Sequence, residues 1–213
     1  MKFLSDEQIN MALHSSQLKN LSLINKGKVR DIYDLDDGKL LIVTTDRLSA
    51  FDVIMSEPIP SKGRVLTQMS NFWFEKLAHI IPNHLLEDDP KSFVSEGEIE
   101  QIEGRSIVVK KLSPIPVEAI VRGYLVGSGW KEYQESNTVC GITLPNDLQQ
   151  ASKLQNPIFT PSSKASQGEH DENISISTCE ALIGKDLSKQ ISKISLELYQ
   201  AASVFAESKG III

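Results

Sequence analysis

The chain has 213 residues, 40% hydrophobic and 23% charged, which is enough for one large globular domain or two small ones with a sizeable core. Its net charge of −6 argues against nucleic acid or an anionic membrane as the main partner, because both select basic surfaces. The apolar runs are strand-sized rather than membrane-spanning, and the N-terminus turns acidic at Asp6 and Glu7, too early for a signal peptide. Cys140 and Cys179 form no metal-binding motif and fit two plain thiols in a reducing, cytoplasmic compartment.

The front half of the chain predicts two strand pairs and two helices. A capping-box pattern starting at Ser5 predicts a short first helix. The turn sequence Asp36-Asp37-Gly38 predicts a hairpin between strands at 29–35 and 39–45. A second strand pair is predicted at 92–95 and 106–112, joined by an acidic turn. Between the pairs, apolar residues at spacings of three and four predict an amphipathic helix that Pro82 ends: Leu66, Met69, Trp73, Leu77 and Ile80.

The segment Ser113-Pro114-Ile115-Pro116 predicts a boundary between a domain at 1–112 and a domain at 113–213. The second domain is predicted to contain an apolar strand at 117–121, a helix around 129–136, a polar loop at 145–173 and a long helix that Gly210 ends. The long helix carries an apolar stripe that predicts core packing: Leu187, Ile191, Ile194, Leu198, Ala201 and Phe205. The β-branched triplet Ile211–Ile213 is typical of an opening buried strand, so we expect the chain to be incomplete there.

Two local patterns are candidates for binding anions. In the first, the strand that carries Glu118 and Arg122 leads into the small-residue turn Gly127-Ser128-Gly129. Arginine offers a planar fork of donors to phosphate or carboxylate, and glycines let backbone N–H groups approach an oxyanion. The alternative is an edge strand with a surface ion pair and an ordinary glycine turn, and the local pattern leaves both open.

The second pattern is Gly27-Lys28-Val29-Arg30, a glycine turn into a strand with two cations at alternate positions. It is typical of a loop that folds over phosphates, although it is not a Walker A motif. A solvated basic hairpin is the alternative interpretation.

Five segments, in this order, resemble the SAICAR synthetase family of purine-biosynthesis ligases: Gly27–Tyr33, Asp46–Asp52, Lys62-Gly63, Pro116–Ser128, and Ile158–Lys164 continuing through Gly168–Asn173. The resemblance implies an α+β fold related to ATP-grasp enzymes, with an antiparallel-sheet, ATP-binding N-terminal domain and an α+β C-terminal domain. It also implies that family members continue beyond residue 213 into segments that help to bind metal and substrate, so that the fold would be incomplete at its C-terminus.

The reaction implied by the resemblance joins L-aspartate to the carboxylate of an aminoimidazole ribonucleotide, with ATP and Mg²⁺, through an acyl phosphate. The implied nucleotide-binding residues are Gly27, Lys28, Val29, Arg30, Lys110, Leu112 and Glu118. The strand that ends at Lys110–Leu112 would lie along the adenine, and Glu118 would lie near the ribose or the phosphates.

The resemblance implies that Arg122, Gly127 and Ser128 hold the substrate phosphate, and that Ser49 and Asp52 lie near the substrate carboxylates, with Asp52 on the aspartate ammonium. A turn or N-cap role for Asp46 and Ser49 is the alternative. Lys164 would counter negative charge, and His170 or Asp171 would hydrogen-bond the imidazole or ribose on a mobile loop. The residues implied in catalysis are Lys28, Asp52, Lys164 and Asp171; no metal ligands are assigned.

Other functions remain to be weighed against the ligase. A truncated, non-catalytic nucleotide-binding remnant of the family is one of them, whereas a kinase-like phosphotransferase is weakened by the missing kinase signatures. The expected partners are the aminoimidazole carboxylate ribonucleotide and L-aspartate, with no nucleic acid, no membrane, and a monomeric or small homo-oligomeric state.

Overall fold

A computed structural model of the chain describes residues 12–51, 53–164 and 171–213. These residues fall into two units, one with the chain up to Ala78 and Pro82–Ser113, the other with His79–Ile81 and Pro114–Ile213. The short helix predicted at Ser5 lies outside the described residues. Separate binding roles for the domains 1–112 and 113–213 stay a prediction.

The first unit is built on a four-stranded antiparallel sheet in the order β1-β2-β3-β6, next to a small β4–β5 hairpin. The predicted hairpin at Asp36-Asp37-Gly38 is confirmed, since all three residues adopt the positive φ angles that a tight turn between β2 and β3 needs. The strands are β1 Ser22–Lys26, β2 Arg30–Asp34, β3 Lys39–Thr44, β4 Ser49–Ala50, β5 Val53–Ile54 and β6 Ser106–Lys110.

One face of this sheet forms a core, because side chains alternate between the two faces of a strand. The buried members are Leu18, Tyr33, Leu41, Val43, Ile102 and Val108. The opposite face is less fully buried, and it carries the exposed Arg30, the half-buried Ile42 and the buried Thr44. The polar side chains of this second face are therefore available to line a binding site.

The strand predicted at 92–95 is wrong. The segment contains short helices instead, because polar caps satisfy the backbone there: the Asp89 side chain accepts from the Lys91 N–H, and Ser95 and Glu98 form a capping box. Hydrogen bonds from the Lys19 N–H and from Ser95 lower the pKa of Glu98 to about 2. The helices are two 3₁₀ turns, Pro90–Phe93 and Glu96–Glu98, followed by α2 Ile99–Ile102.

The predicted amphipathic helix is present as α1, Lys62–Lys76, but its buried face is not the apolar stripe. Leu66 and Met69 are 44% and 52% exposed, whereas the buried residues of the helix are Gly63 and Thr67. Leu77 is the C-cap and Ile80 lies beyond the helix, so α1 ends several residues before Pro82 and not at the proline as predicted. Small side chains on one face let α1 approach the end of β3 closely.

Replacing Gly63 with alanine is expected to lower the unfolding free energy by about 1–3 kcal/mol, because overpacking against backbone cannot relax easily. A Cβ atom at this position would overlap the Thr44 carbonyl oxygen and lie 2.9 Å from the Thr45 carbonyl oxygen. Urea denaturation measures the change. Gly97→Ala is the control, since a Cβ there would meet nothing within 4 Å; an equal effect of both substitutions would contradict the packing argument.

The second unit contains three two-stranded antiparallel pairs, β7–β12, β8–β11 and β9–β10, and three helices. Its core is formed by Leu125, Tyr133, Val139, Cys140, Leu144 and Leu154. The strands are β7 Val117–Glu118, β8 Val121–Tyr124, β9 Thr138–Val139, β10 Ile142–Thr143, β11 Lys153–Phe159 and β12 Ser162–Ser163; the helices are α3 Gly127–Ser136, α4 Ile176–Ile183 and α5 Lys185–Glu207.

Several predictions for this unit need correction. The single strand predicted at 117–121 is two strands, and the break between them lies opposite Pro161, which has no N–H to continue the ladder. The predicted polar loop at 145–173 contains β11 and β12. The Gly127-Ser128-Gly129 segment is the first turn of α3 rather than a turn before it.

The long C-terminal helix is confirmed as α5, and Gly210 follows it with a φ of 74°. The core packing predicted for its apolar stripe is wrong, since the buried residues of α5 are Ser188 and Ala206 and the stripe residue Leu187 is 38% exposed. The strand predicted at Ile211–Ile213 is wrong for this structure, in which the three residues are exposed and have no regular secondary structure. In the described ranges, none of the helices combines the length and the apolar character needed to cross a membrane.

Candidate active site

The turn Gly27–Arg30 between β1 and β2 is held from the inside by two side chains. Arg47, 1% exposed, donates to the Gly27 carbonyl at 2.8 Å and to the Lys28 carbonyl at 3.0 Å. Thr45 donates to the Val29 carbonyl through its N–H and its hydroxyl, at 3.0 and 2.9 Å. Because C=O and N–H point in opposite directions in a trans peptide, the amide N–H groups of these three peptides point away from Arg47 and Thr45. This orientation suits a turn that meets an anion with its backbone.

Arg47 also contacts groups outside this turn. Its guanidinium forms a buried ion pair with Asp31 at 2.8 Å and also donates to the His14 carbonyl. The second Asp31 oxygen accepts from the N–H and the hydroxyl of Ser16. Sequence reasoning missed this pair, which supports the turn rather than binding a ligand.

Arg30 points into a cavity of about 110 Å³ between α1 and the second face of the sheet. His84 lies in the same cavity, where burial and then the nearby charge of Arg30 lower its imidazole pKa. Among the lining residues, the Arg30 guanidinium therefore provides the positive charge. The remaining lining residues are Ile42, Thr44, Leu66, Thr67, Ser70, Phe74 and Ile107.

The end of β6 was predicted to lie along an adenine ring. The N–H of Lys110 donates to the His84 carbonyl at 2.9 Å, and the N–H of Lys111 donates to the Gly38 carbonyl at 2.7 Å. Leu112, the next residue, is 66% exposed. The six predicted nucleotide-binding residues of the first unit thus occupy one turn and one strand end, while Glu118, exposed in β7, belongs to the second unit.

The predicted phosphate-binding residues of the second unit come together at the start of α3. Arg122 Nη2 donates to Ser128 Oγ at 2.8 Å, and Arg122 Nε is buried without a hydrogen-bond partner. Gly129 makes this packing possible, since a Cβ there would lie 3.0 Å from the Arg122 Cδ and Nε atoms. Gly127 begins the helix with a φ of 58°, and Val126 at the N-cap offers no side-chain hydrogen bond to its first N–H groups. We call Arg122, Gly127 and Ser128 the Arg122 cradle.

Two further residues border this cradle, and sequence reasoning assigned them no role. Asn173 Oδ1 lies 3.3 Å from Ser128 Oγ and 3.5 Å from Arg122 Nη2, and Asn173 Nδ2 donates to Glu132 at 2.9 Å. Glu132 is four residues after Ser128 and so lies on the same face of α3. That spacing is the signal that could have found Glu132; for Asn173 there was only its place in the quoted motif.

Lys164 and Asp171 flank the segment 165–170. The chain is paired just before and after them, since Ser162 bridges Asn173 and the Ser163 N–H donates to the Glu172 carbonyl at 2.9 Å. Both residues are exposed. Lys164 is the residue after Ser163, and Asp171 is the residue before Glu172.

Of the remaining predicted site residues, only Ser49 is among those that the structure describes. Ser49 lies half-buried in the β4–β5 hairpin of the first unit, paired with Ile54. Asp52 and His170 lie outside the described residues. Asp46, for which an N-cap or turn role was the alternative, is buried; it accepts from the N–H of Gly63 in the first turn of α1 and forms an ion pair with Arg105.

Comparison with solved structures defines the class of protein. The chain matches the SAICAR synthase of Saccharomyces cerevisiae, solved in complex with SAICAR, at a TM-score of 0.88 and 43% identity, covering 95% of this chain and 69% of that one. It matches a SAICAR synthetase in complex with ADP at a TM-score of 0.70 and 27% identity, covering 89% of this chain and 70% of that one. The fold is therefore that of an α+β ligase, as the sequence predicted.

The sequence comparisons identify the family. The SAICAR synthetase family model matches residues 23–213. The phosphoribosylaminoimidazole-succinocarboxamide synthase of Cupriavidus metallidurans is 60% identical over 202 residues, 95% of this chain and 67% of that protein. The chain belongs to the SAICAR synthetase family, the ATP-dependent ligases of purine biosynthesis. The resemblance in the five segments is confirmed, and a non-catalytic remnant is not favoured.

Proposed function

We propose that this chain joins L-aspartate to 5-amino-1-(5-phosphoribosyl)imidazole-4-carboxylate to give the succinocarboxamide, ADP and phosphate. The observation that carries the proposal is the Arg122 cradle, which offers donors for a phosphate ester in a chain whose family handles a phosphoribosyl substrate. ATP supplies the phosphoryl group that turns the substrate carboxylate into an acyl phosphate.

The substrate phosphate is proposed to bind at the Arg122 cradle. Arg122 Nε is buried and lacks a partner, and an unmet charged donor favours an anionic ligand. Ser128 would contribute its hydroxyl. The N–H groups of the first turn of α3, starting at Gly127, would bind the same ligand, because a helix N-terminus favours negative charge.

The nucleotide is proposed to bind to the first unit. Its phosphates would meet the outward N–H groups of the Gly27–Arg30 turn, with the side chains of Lys28 and Arg30 countering their charge. The N–H groups of Lys110 and Lys111 already donate within the protein, so the adenine edge would be read by the Lys110 carbonyl and the backbone of Leu112. Glu118, which belongs to the second unit, stays predicted to lie near the ribose or the phosphates.

The remaining roles follow from charge. Lys164 would counter negative charge on the substrate, and Asp171 or His170 would hydrogen-bond the imidazole or ribose. Asp52 would hold the ammonium group of aspartate, and Ser49 would lie beside it. Lys28 would stabilise the charge on the transferred phosphoryl group.

Mg²⁺ belongs to the proposal as the ion that accompanies ATP. Over the ranges 12–51, 53–164 and 171–213, no three His, Cys, Asp or Glu side chains cluster in a way that could hold a metal ion, and no step above depends on one. The described donors thus do not form a protein-built metal centre. We further propose a cytoplasmic protein, a monomer or small homo-oligomer, that acts on small molecules without a nucleic-acid or membrane partner.

The test is ADP release from the purified chain with each substrate omitted in turn. We expect release only when ATP, the aminoimidazole carboxylate ribonucleotide and L-aspartate are all present, with the succinocarboxamide formed in equal amount. ADP release at the same rate with ATP alone, or with unrelated amino acids in place of aspartate, would contradict the proposed function.

A further inference from the structure

Glu132 fixes the orientation of the Asn173 side-chain amide. Its Oε2 accepts from Asn173 Nδ2 at 2.9 Å, and its Oε1 accepts from the Cys140 N–H at 2.7 Å. An ionised carboxylate only accepts hydrogen bonds, so it selects the NH₂ end of the amide and turns the carbonyl end the other way. Burial, with a smaller contribution from Glu132, raises the pKa of Cys140 to about 11, so its thiol stays neutral beside this carboxylate.

The carbonyl end of Asn173 faces the Arg122 cradle. Asn173 Oδ1 lies 3.3 Å from Ser128 Oγ and 3.5 Å from Arg122 Nη2, while these two donors are 2.8 Å apart. Two donors that converge on one neutral oxygen are already arranged for one phosphate oxygen. Both contacts are long for hydrogen bonds, so a phosphate oxygen can replace the amide oxygen at little cost.

The opposite amide orientation would undo this arrangement. With Nδ2 towards the cradle, Asn173 would present N–H groups to the Arg122 guanidinium, which has donors only. The Arg122 and Ser128 donors would then lose the acceptor on which they converge. The carboxylate of Glu132 prevents that orientation.

We propose that Glu132 is a positioning residue for the phosphate group of the ribonucleotide substrate, acting through the amide of Asn173 on Arg122 and Ser128. This inference rests on the proposed function, because it assigns the substrate phosphate to the Arg122 cradle. Neither Glu132 nor Asn173 needs to touch a reacting atom for this role.

The test is the substitution Glu132→Gln, which keeps the shape but leaves one acceptor oxygen for two N–H donors. By calorimetry without aspartate, we expect the dissociation constant of the ribonucleotide to rise about 10-fold, as for one lost charged hydrogen bond. The dissociation constants of ATP and of the same nucleoside without its phosphate should change less than about twofold. The control is Glu135→Gln, an exposed position on the same helix where the same charge is removed.

Asn173→Ala provides a second variant, should Glu132→Gln fail to fold, and we expect it to weaken ribonucleotide binding in the same selective way. Equal weakening of the phosphorylated and unphosphorylated ligands would show a general structural role and overturn the proposal. Unchanged ribonucleotide binding in both variants, with full ligase turnover in the wild type, would overturn it while leaving the proposed function intact. A wild-type chain that neither binds the ribonucleotide nor releases ADP would overturn both.

Discussion

Replacement of Arg47 with methionine is expected to lower the unfolding free energy by about 3–5 kcal/mol, the cost of leaving a buried charge without its partner. The Arg47 and Asp31 side chains are each 1% exposed and lie 2.8 Å apart. Methionine fills much of the volume of arginine but donates nothing, so the Asp31 carboxylate and the carbonyls of His14, Gly27 and Lys28 all lose a donor. Urea denaturation of the wild type and the variant measures the difference.

The second substitution Asp31→Asn separates the charge from the packing. Asparagine can still accept from Ser16 through its carbonyl oxygen, and it carries no charge that needs Arg47. We therefore expect Asp31→Asn to destabilise the wild type but to recover part of the loss in the Arg47→Met background. Additive losses in the double variant would contradict a coupled buried pair.

Replacement of Arg47 with methionine should also weaken nucleotide binding at the proposed site. Because Arg47 holds two carbonyls of the Gly27–Arg30 turn, its loss frees the turn whose N–H groups are proposed to meet the ATP phosphates. The KM for ATP is expected to rise at temperatures where the variant remains folded, while the KM for aspartate changes little. An unchanged KM for ATP would show that the Gly27–Arg30 turn does not contribute to nucleotide binding.

The parts of the fold that sequence predicted well are those with local causes. The β2–β3 hairpin follows from three consecutive residues that tolerate positive φ, and α5 follows from a stripe repeated over more than five turns. The capping box at Ser95 and Glu98 is equally local, and giving it more weight than the β-branched and aromatic residues nearby would have avoided the strand wrongly predicted at 92–95.

The parts that failed depend on distant residues. The buried face of α1 is set by the approach of Gly63 to the Thr44 carbonyl, so an apolar stripe at helical spacing pointed to the wrong face. The break after Glu118 lies where Pro161, 42 residues along the chain from Ala119, faces it without an N–H to continue the ladder. No periodicity within 117–121 records that contact.

The candidate site shows the same division. Arg122 and Ser128 are six residues apart, and a strand leading into a helix start brought them together as expected. Asn173 is 51 residues from Arg122 and reaches it through the β12 bridge at Ser162, which the predicted polar loop did not contain. Residues that orient a site from a remote segment leave little trace in local sequence patterns, although the chemistry of the binding residues does.

Replacement of Arg122 with lysine is expected to raise the KM for the ribonucleotide on the order of 100-fold while the KM for ATP stays within about twofold. The guanidinium spans several points at once: Nη2 meets Ser128 at 2.8 Å, Nε is buried without a protein partner, and its plane packs where Gly129 has no Cβ. A lysine ammonium keeps the charge, but it is a single point that cannot replace two parallel donors to a phosphate.

Steady-state kinetics with each substrate varied in turn measure this difference, with Arg64→Lys as the control. Arg64 undergoes the same chemical change in the first unit, where its Nε donates to the Glu103 carbonyl at 3.1 Å, so its substitution should leave both constants unchanged. Loss of the guanidinium from the Arg122 cradle must weaken the binding of one substrate selectively, because only the ribonucleotide is proposed to place a phosphate there. Equal losses for the ribonucleotide and ATP in Arg122→Lys would therefore remove Arg122 from substrate binding and assign it to the stability of the second unit.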